Sequence, residues 1–343
     1  MMRAPDFRYH QARSVADAAR ALRDGGPGAM LLAGGTDLVP NLKRRQQTPA
    51  LLVGIRRMRE LRGIRGGDGL EIGSARRLAE IAADRRIARG YPALARAASL
   101  VATPQIRNMA TLGGNLCLDT RCTYYNQTHE WRQAIAFCMK APGATGGRAC
   151  ATPTGDAICW VATSSPRCWA VSSSDTAPAL IALGARVTLV SAAGERDIPL
   201  DDLYADDGMA YLTRRPDEIL TAVRLPAADP AWRSTYWKLR RRGSFDFPVL
   251  SVAASVRFAE GGVVTEARVV LGAVGSRPVV VPEAAQLIGR RLGDDVVEGF
   301  AEAAAVHAKP MDNTDLTLGW RKKMARRYLA GALRELAGVV GSA

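Results

Sequence analysis

The chain has 343 residues, 48% hydrophobic and 23% charged, which suits a globular protein and excludes disordered and fibrous classes. Its length suits two folding units, it offers no run of eighteen apolar residues to span a membrane, and its first residues lack the apolar stretch of a secretion signal, so the cytoplasm is the expected address. The net charge of +14 admits an acidic partner such as a ferredoxin, but the basic residues are scattered in pairs and triplets and aromatics reach only 6%, which argues against nucleic acid.

In chain order, Ser14 caps a predicted helix over 15–22 that ends at Gly25-Gly26. Residues 30–33 predict a short buried strand running into Gly34-Gly35-Thr36-Asp37, and 51–55 a second strand. Residues 70–73 alternate as a strand does, and 78–97 carry helical patterning. This alternation predicts an α/β layer arrangement in the first portion. From Cys117 to Cys168 no period is sustained, and a stretch of that length inside a compact domain needs something else to order it. A bound metal cluster could do so by closing several loops at once. Residues 176–183 predict a helix stopped by Gly184, 185–190 a strand, and 194–196 its turn. A Pro-rich stretch at 225–230 marks a boundary. Beyond it, strands over 251–258 and 263–270 flank Glu260-Gly261-Gly262, a hairpin signal. Helices over 282–287 and 296–308 follow, and a basic amphipathic helix over 319–336 closes an α+β unit.

Two features carry chemistry. Gly34-Gly35 and Gly113-Gly114 are paired glycines whose backbone N–H groups can approach an anion, although neither matches the spaced dinucleotide fingerprint or the P-loop. The six cysteines stand at 117, 122, 138, 150, 159 and 168, which points to a local metal or redox site rather than to disulfides in a cytosolic chain. Spacing alone leaves zinc and iron–sulfur both open, although zinc sites favour close Cys-x-x-Cys pairs and none occurs. His10, His129 and His307 are too scattered for a His-based site.

Leu32-Ala33-Gly34-Gly35-Thr36-Asp37-Leu38, then Ala102-Thr103-Pro104-Gln105-Ile106-Arg107-Asn108, then Thr111-Leu112-Gly113-Gly114-Asn115 resemble the FAD-binding subunit of the xanthine dehydrogenase and carbon monoxide dehydrogenase family. The likeness extends through Ser174-Asp175-Thr176, Glu218-Ile219-Leu220 and Tyr236-Trp237-Lys238-Leu239. It implies an α+β fold: a FAD-binding domain at 1–228, with subdomains 1–55 and 56–228, and a smaller C-terminal α+β domain at 229–343. Carried over residue by residue, it implies that Leu31, Leu32, Ala33, Gly34, Gly35, Thr36, Asp37 and Leu38 wrap the FAD with Thr111, Leu112, Gly113, Gly114 and Asn115. Val101 and Ala102 would lie against the flavin, with Asp175, Leu220 and Lys238 as further contacts. Asp175 could also cap the helix that follows it, and Lys238 would sit near the flavin's carbonyl edge, where a cation stabilises reduced flavin.

The insertion at 117–170 resembles that of 4-hydroxybenzoyl-CoA reductase beta subunits, on the stretch Asp119-Thr120-Arg121-Cys122-Thr123-Tyr124-Tyr125 with Trp131-Arg132 and Cys138. That resemblance implies a [4Fe–4S] cluster on Cys122, Cys138, Cys159 and Cys168. The sequence departs from the pattern between Cys138 and Cys159, where the stretch is longer and carries Cys150, a possible substitute ligand for Cys159; Cys117 reads as a packing residue. The implied role is electron transfer between FAD, [2Fe–2S] clusters on a small subunit, a molybdenum cofactor on a large subunit and a ferredoxin, in a dimer of heterotrimers. The expected reaction is the reductive removal of a ring hydroxyl. An oxidative molybdenum hydroxylase is the alternative, and a zinc-loop nucleic-acid binder is the alternative from another class. No catalytic acid–base pair or nucleophile stands out in the chain itself.

Overall fold

The computed structural model describes residues 3–141 and 158–338. Strand β1 (Arg8–Gln11), helix α1 (Val15–Gly25), β2 (Ala29–Leu32), α2 (Leu38–Lys43) and β3 (Leu51–Gly54) form the first unit. The Ser14 hydroxyl accepts the Asp17 N–H at 3.1 Å and starts α1 where the sequence predicts it. The strands pair in parallel in the order β1-β3-β2, and Ala18, Ala19 and Leu22 of α1 pack on Val53. This unit is the expected α/β layer.

Next come β4 (Ile64–Gly66), β5 (Gly69–Gly73), α3 (Leu78–Ala83), α4 (Arg85–Gly90) and α5 (Pro92–Ser99). The single helical pattern over 78–97 is thus three helices. Asp84 interrupts it, because its carboxylate accepts the Arg86 and Ile87 N–H groups and restarts the helix. Pro92 interrupts it again, since a proline has no N–H to continue a helix and suits a first turn. Helices α6 (Pro104–Arg107), α7 (Leu112–Leu116), α8 (His129–Ala134) and α9 (Thr176–Ala182) lead to β6 (Arg186–Ser191), β7 (Gly194–Pro199) and β8 (Ile219–Pro226). The second sheet runs β4-β5-β8-β6-β7 and every pair in it is antiparallel, so the α/β reading holds for the first unit and α+β for the domain. Residues 194–196, read as a turn, open β7. The strand β8, hidden by its proximity to the Pro-rich stretch, lies at the centre of the sheet.

The last unit contains β9 (Trp232–Leu239), β10 (Leu250–Phe258), β11 (Val264–Gly272), β12 (Val279–Val280), α10 (Asp294–Ala305) and α11 (Leu318–Ala337). Its sheet is antiparallel in the order β12-β11-β10-β9, and the predicted hairpin joins β10 to β11. Residues 282–287 form a 3-10 helix. The period of two along β10 places Val252, Ala254 and Val256 against α10 and α11, while Ala253, with Tyr236 and Val270, packs into the core of the first domain with Leu94 and Leu180. One sheet therefore serves two cores, which fixes β9 and its Lys238 against the FAD-domain elements. Among the described residues, no helix is long and apolar enough to cross a membrane.

Candidate functional site

Two glycine turns face each other. After β2 the chain turns through Gly35, at φ +73°, into α2. Gly34 lies so close to the opposite wall that a Cβ there would stand 2.2 Å from the Met109 carbonyl oxygen. On that opposite side, the Thr111 hydroxyl accepts the Gly114 N–H at 3.2 Å and makes 112–116 a short helix rather than an open turn. Between them lies a cavity of about 540 Å³, a size suited to a bound cofactor.

Leu31, Ala33, Gly34, Gly35, Thr36, Asp37 and Leu38 line the cavity from one side, and Thr111, Gly113, Gly114 and Asn115 from the other. Val101, Ala102, Asp175 and Leu220 complete the set of sequence-predicted residues that reach it. Leu32 does not line it, and its carbonyl accepts the Ile55 N–H at 3.0 Å. Leu112 is wholly buried in the domain core. Ala102 holds φ +39°, a conformation that costs about 1–3 kcal/mol in a non-glycine residue and clusters at ligand sites. The Arg107 guanidinium fixes it by donating to the Val101 carbonyl at 2.7 Å.

Lys238 stands one layer behind. Its ammonium donates to Asp175 Oδ2 at 3.0 Å and to the Leu100 carbonyl at 3.0 Å, and both side chains are at most 3% exposed. Tyr236 donates to the other Asp175 oxygen at 2.7 Å. Burial lowers Lys238 and raises Asp175 from their ordinary pKa ranges, and each offsets part of the other's shift. Asp175 therefore caps nothing: the Ser174 hydroxyl accepts the Ala177 N–H, and Asn115 Oδ1 receives Thr176 N–H, Thr176 Oγ1 and Ser174 Oγ.

Sequence reading missed the rest of the lining. Arg44, Arg121 and Arg214 add three cations, and Tyr211, Phe245 and Phe247 close the rim. These residues come from separate loops, and in an arginine-rich chain no local pattern marks them. Among the described residues, four lining groups are buried with no protein partner: Ser74 Oγ, Ser173 Oγ, Gln47 Oε1 and Arg121 Nε. Orphaned polar atoms are costly unless a polar ligand satisfies them. Cationic side chains, close-approach glycines and unpaired donors together fit an anionic, hydroxyl-rich nucleotide.

The cysteine-rich segment folds against the same cavity. Cys117, Leu118, Asp119 and Arg121 line its wall, and the residue after Arg121 is Cys122. Asp37 of the first glycine turn forms an ion pair with Arg121, while Arg121 and Val171 exchange backbone hydrogen bonds at 2.8 and 2.7 Å. Cys122, Cys138, Cys159 and Cys168 are free and buried. Cys122, Cys138 and Cys168 share one apolar cluster with Tyr125, Ala141 and Ala170. The backbone turns tightly at the thiols: the Tyr125, Ala141 and Ala162 N–H groups donate to the carbonyls of Cys122, Cys138 and Cys159 at 3.0, 2.8 and 3.1 Å, and the Ala170 N–H donates to the Cys168 sulfur at 3.4 Å. Burial pushes the Cys122 thiol up to about 12 and raises Cys138. Thiols are the soft donors that an iron–sulfur cluster takes, and four of them are buried here. Among the described residues, no group of three or more His, Cys, Asp or Glu side chains is placed to hold a metal ion. Cys150 lies outside the described residues. Cys117 is half-buried in the cavity wall, with burial raising its thiol. Two of the histidines pair with carboxylates, His10 with Asp17 and His307 with Glu283, away from both sites.

Comparison with known proteins agrees with this geometry. Residues 5–228 match the family model of the FAD binding domain in molybdopterin dehydrogenase, and 234–336 that of the CO dehydrogenase flavoprotein C-terminal domain. The chain is 29% identical to the 6-hydroxypseudooxynicotine dehydrogenase complex subunit alpha of Paenarthrobacter nicotinovorans over 97% of its length and 96% of that protein. It is 30% identical to the xanthine dehydrogenase FAD-binding subunit of Escherichia coli O157:H7, covering 97% of each chain. Its fold superposes on a chain of carbon monoxide dehydrogenase from Hydrogenophaga pseudoflava with a TM-score of 0.77 at 26% identity, covering 99% and 100% of the two chains.

Proposed function

Because the chain belongs to the family of FAD-binding subunits of molybdopterin dehydrogenases, we propose that it carries FAD in the 540 Å³ cavity and a [4Fe–4S] cluster on Cys122, Cys138, Cys159 and Cys168. The observation that supports this reading best is the position of Arg121. It lines the cavity and directly precedes Cys122, so the backbone of the cavity wall runs straight into the thiol segment.

Bound FAD would supply the exchange between two-electron and one-electron partners. The chain's own residues do the rest. Arg44, Arg121 and Arg214 balance the pyrophosphate charge, and the turns at Gly34 and Gly113 admit it close to backbone N–H groups. Ala102, held in its strained conformation, and Leu220 present an apolar surface to the ring. Lys238 braces that wall from behind through Asp175, which lines it. The four thiols would hold the cluster, with the Ala170 N–H donating to the Cys168 sulfur.

The chain would work beside a large molybdopterin subunit and a small [2Fe–2S] subunit, in a dimer of heterotrimers in the cytoplasm, with a ferredoxin meeting its basic surface. The insertion's likeness to 4-hydroxybenzoyl-CoA reductases favours electron flow toward molybdenum and removal of a ring hydroxyl. A second reading, an oxidative hydroxylase, draws on the relatives, whose names are those of dehydrogenases. The test is the absorption spectrum of the purified complex with FAD, iron and acid-labile sulfide quantified. One FAD and about four irons per chain are expected. Zinc in place of iron would sink the cluster, and a flavin-free complex would sink the FAD reading. Turnover of 4-hydroxybenzoyl-CoA with a low-potential reductant separates the two directions.

A further inference from the structure

Arg132 lies on α8, and the residue is 1% exposed. A guanidinium so far from water needs an anion, because an uncompensated buried charge costs several kcal/mol. The other buried cations near the thiols have carboxylates: Lys140 pairs with Asp119 at 2.7 Å, and Arg121 with Asp37. Among the described residues Arg132 has none in contact. It donates from Nη2 to the Arg44 carbonyl, its Nε has no partner, and it stands 5.9 Å over the Tyr125 ring. Tyr125 belongs to the thiol cluster, and its N–H donates to the Cys122 carbonyl at 3.0 Å. The Cys138 thiol lies within electrostatic range of the guanidinium, and the carboxylate in that range is the solvent-exposed Glu130.

We propose that Arg132 is the counter-charge of the thiolate cluster, a positioning residue that helps the cluster assemble and raises its reduction potential. The inference rests on the cluster reading above. A cluster held by four thiolates is anionic and gains a further negative charge on reduction, so a fixed cation beside it favours the reduced form. This assigns the buried guanidinium the anion that no carboxylate supplies, and explains how α8 can bury it. Lys140 cannot take the same part to the same degree, because Asp119 already offsets its charge.

The experiment compares the wild-type complex with Arg132→Lys and Arg132→Gln, measuring iron per chain and following the cluster by electron paramagnetic resonance in a redox titration, with the flavin couple as internal reference. Arg132→Lys is expected to keep the iron and stay close to the wild-type potential. Arg132→Gln should shift the reduced-to-oxidised ratio about tenfold toward the oxidised form at fixed ambient potential, about 59 mV for one electron, with the flavin couple unmoved. Loss of iron in Arg132→Gln but not in Arg132→Lys also supports the assignment. Two variants with the same potential, or equal loss of iron in both, would overturn it. Wild-type complex without iron brings down the cluster itself, an outcome separate from any effect of Arg132.

Discussion

Asp37 and Arg121 form an ion pair that ties the turn at the cavity mouth to the residue preceding Cys122. Asp37 also accepts from Asn41 Nδ2 at 3.1 Å, and Arg121 lies 4.5 Å over the Phe247 ring, so the pair joins three loops. Burial lowers the Arg121 guanidinium to about 10. Asp37→Asn leaves that cation without its carboxylate. The cost should be about 2 kcal/mol, below the ~3–5 of a fully buried pair, since 25% of the Asp37 side chain remains exposed. Urea unfolding measures the loss, and flavin and iron content should fall together. A variant that sheds flavin while keeping full iron and wild-type stability would show that the pair does not couple the two sites.

Gly34→Ala places a methyl 2.2 Å from the Met109 carbonyl oxygen and 3.0 Å from the Ala110 Cα. Both are backbone atoms, so the turn at 33–37 must move away from the facing wall. The expected product is folded but flavin-poor, with FAD affinity reduced at least about tenfold, equivalent to ~1.4 kcal/mol. Fluorescence titration of the deflavinated protein with FAD reads this directly. Affinity equal to wild type would mean that the close approach of these walls does not shape the cofactor site.

The sequence showed the lining of the cavity better than its surroundings. Gly34, Gly35, Gly113 and Gly114 were legible because close approach and positive φ leave few residue types possible. The hairpin of β10 and β11 was legible from its period and its glycines. The strand β8 was not, since Pro226 and the prolines after it mimic a linker, and only pairing with β5 and β6 makes it central. Nor was the isolation of Arg132: among 47 basic residues nothing local distinguishes a buried one from a solvated one. Burial is decided by the segments that close over it, and these lie far away in sequence.

Lys238→Met removes the partner of a carboxylate that is 2% exposed. The expected loss is about 3–5 kcal/mol at neutral pH, and the double variant with Asp175→Asn should recover most of it. The pH dependence has a definite sign. Burial already raises Asp175, and without the ammonium its pKa rises further. A raised folded-state pKa gives stability that is full below the unfolded value, about 3.9, and is lost as pH rises through the folded one. The deficit of Lys238→Met should therefore be larger at pH 7 than at pH 4. A deficit that grows on acidification would place the buried charge elsewhere than on Asp175.

The cysteines separate by role. Cys122, Cys138, Cys159 and Cys168 are buried, whereas Cys117 is half-buried in the cavity wall. Serine at any of the first four removes a soft ligand and should cost most of the iron, while FAD stays bound, because none of these four residues lines the cavity. Cys117→Ser should keep the iron, with at most a modest change in the flavin spectrum. Iron and flavin assays on the five variants make the comparison. Full iron in Cys159→Ser would remove that residue from the ligand set and turn attention to Cys150, whereas iron loss confined to Cys117→Ser would reverse the assignment of the two thiol environments.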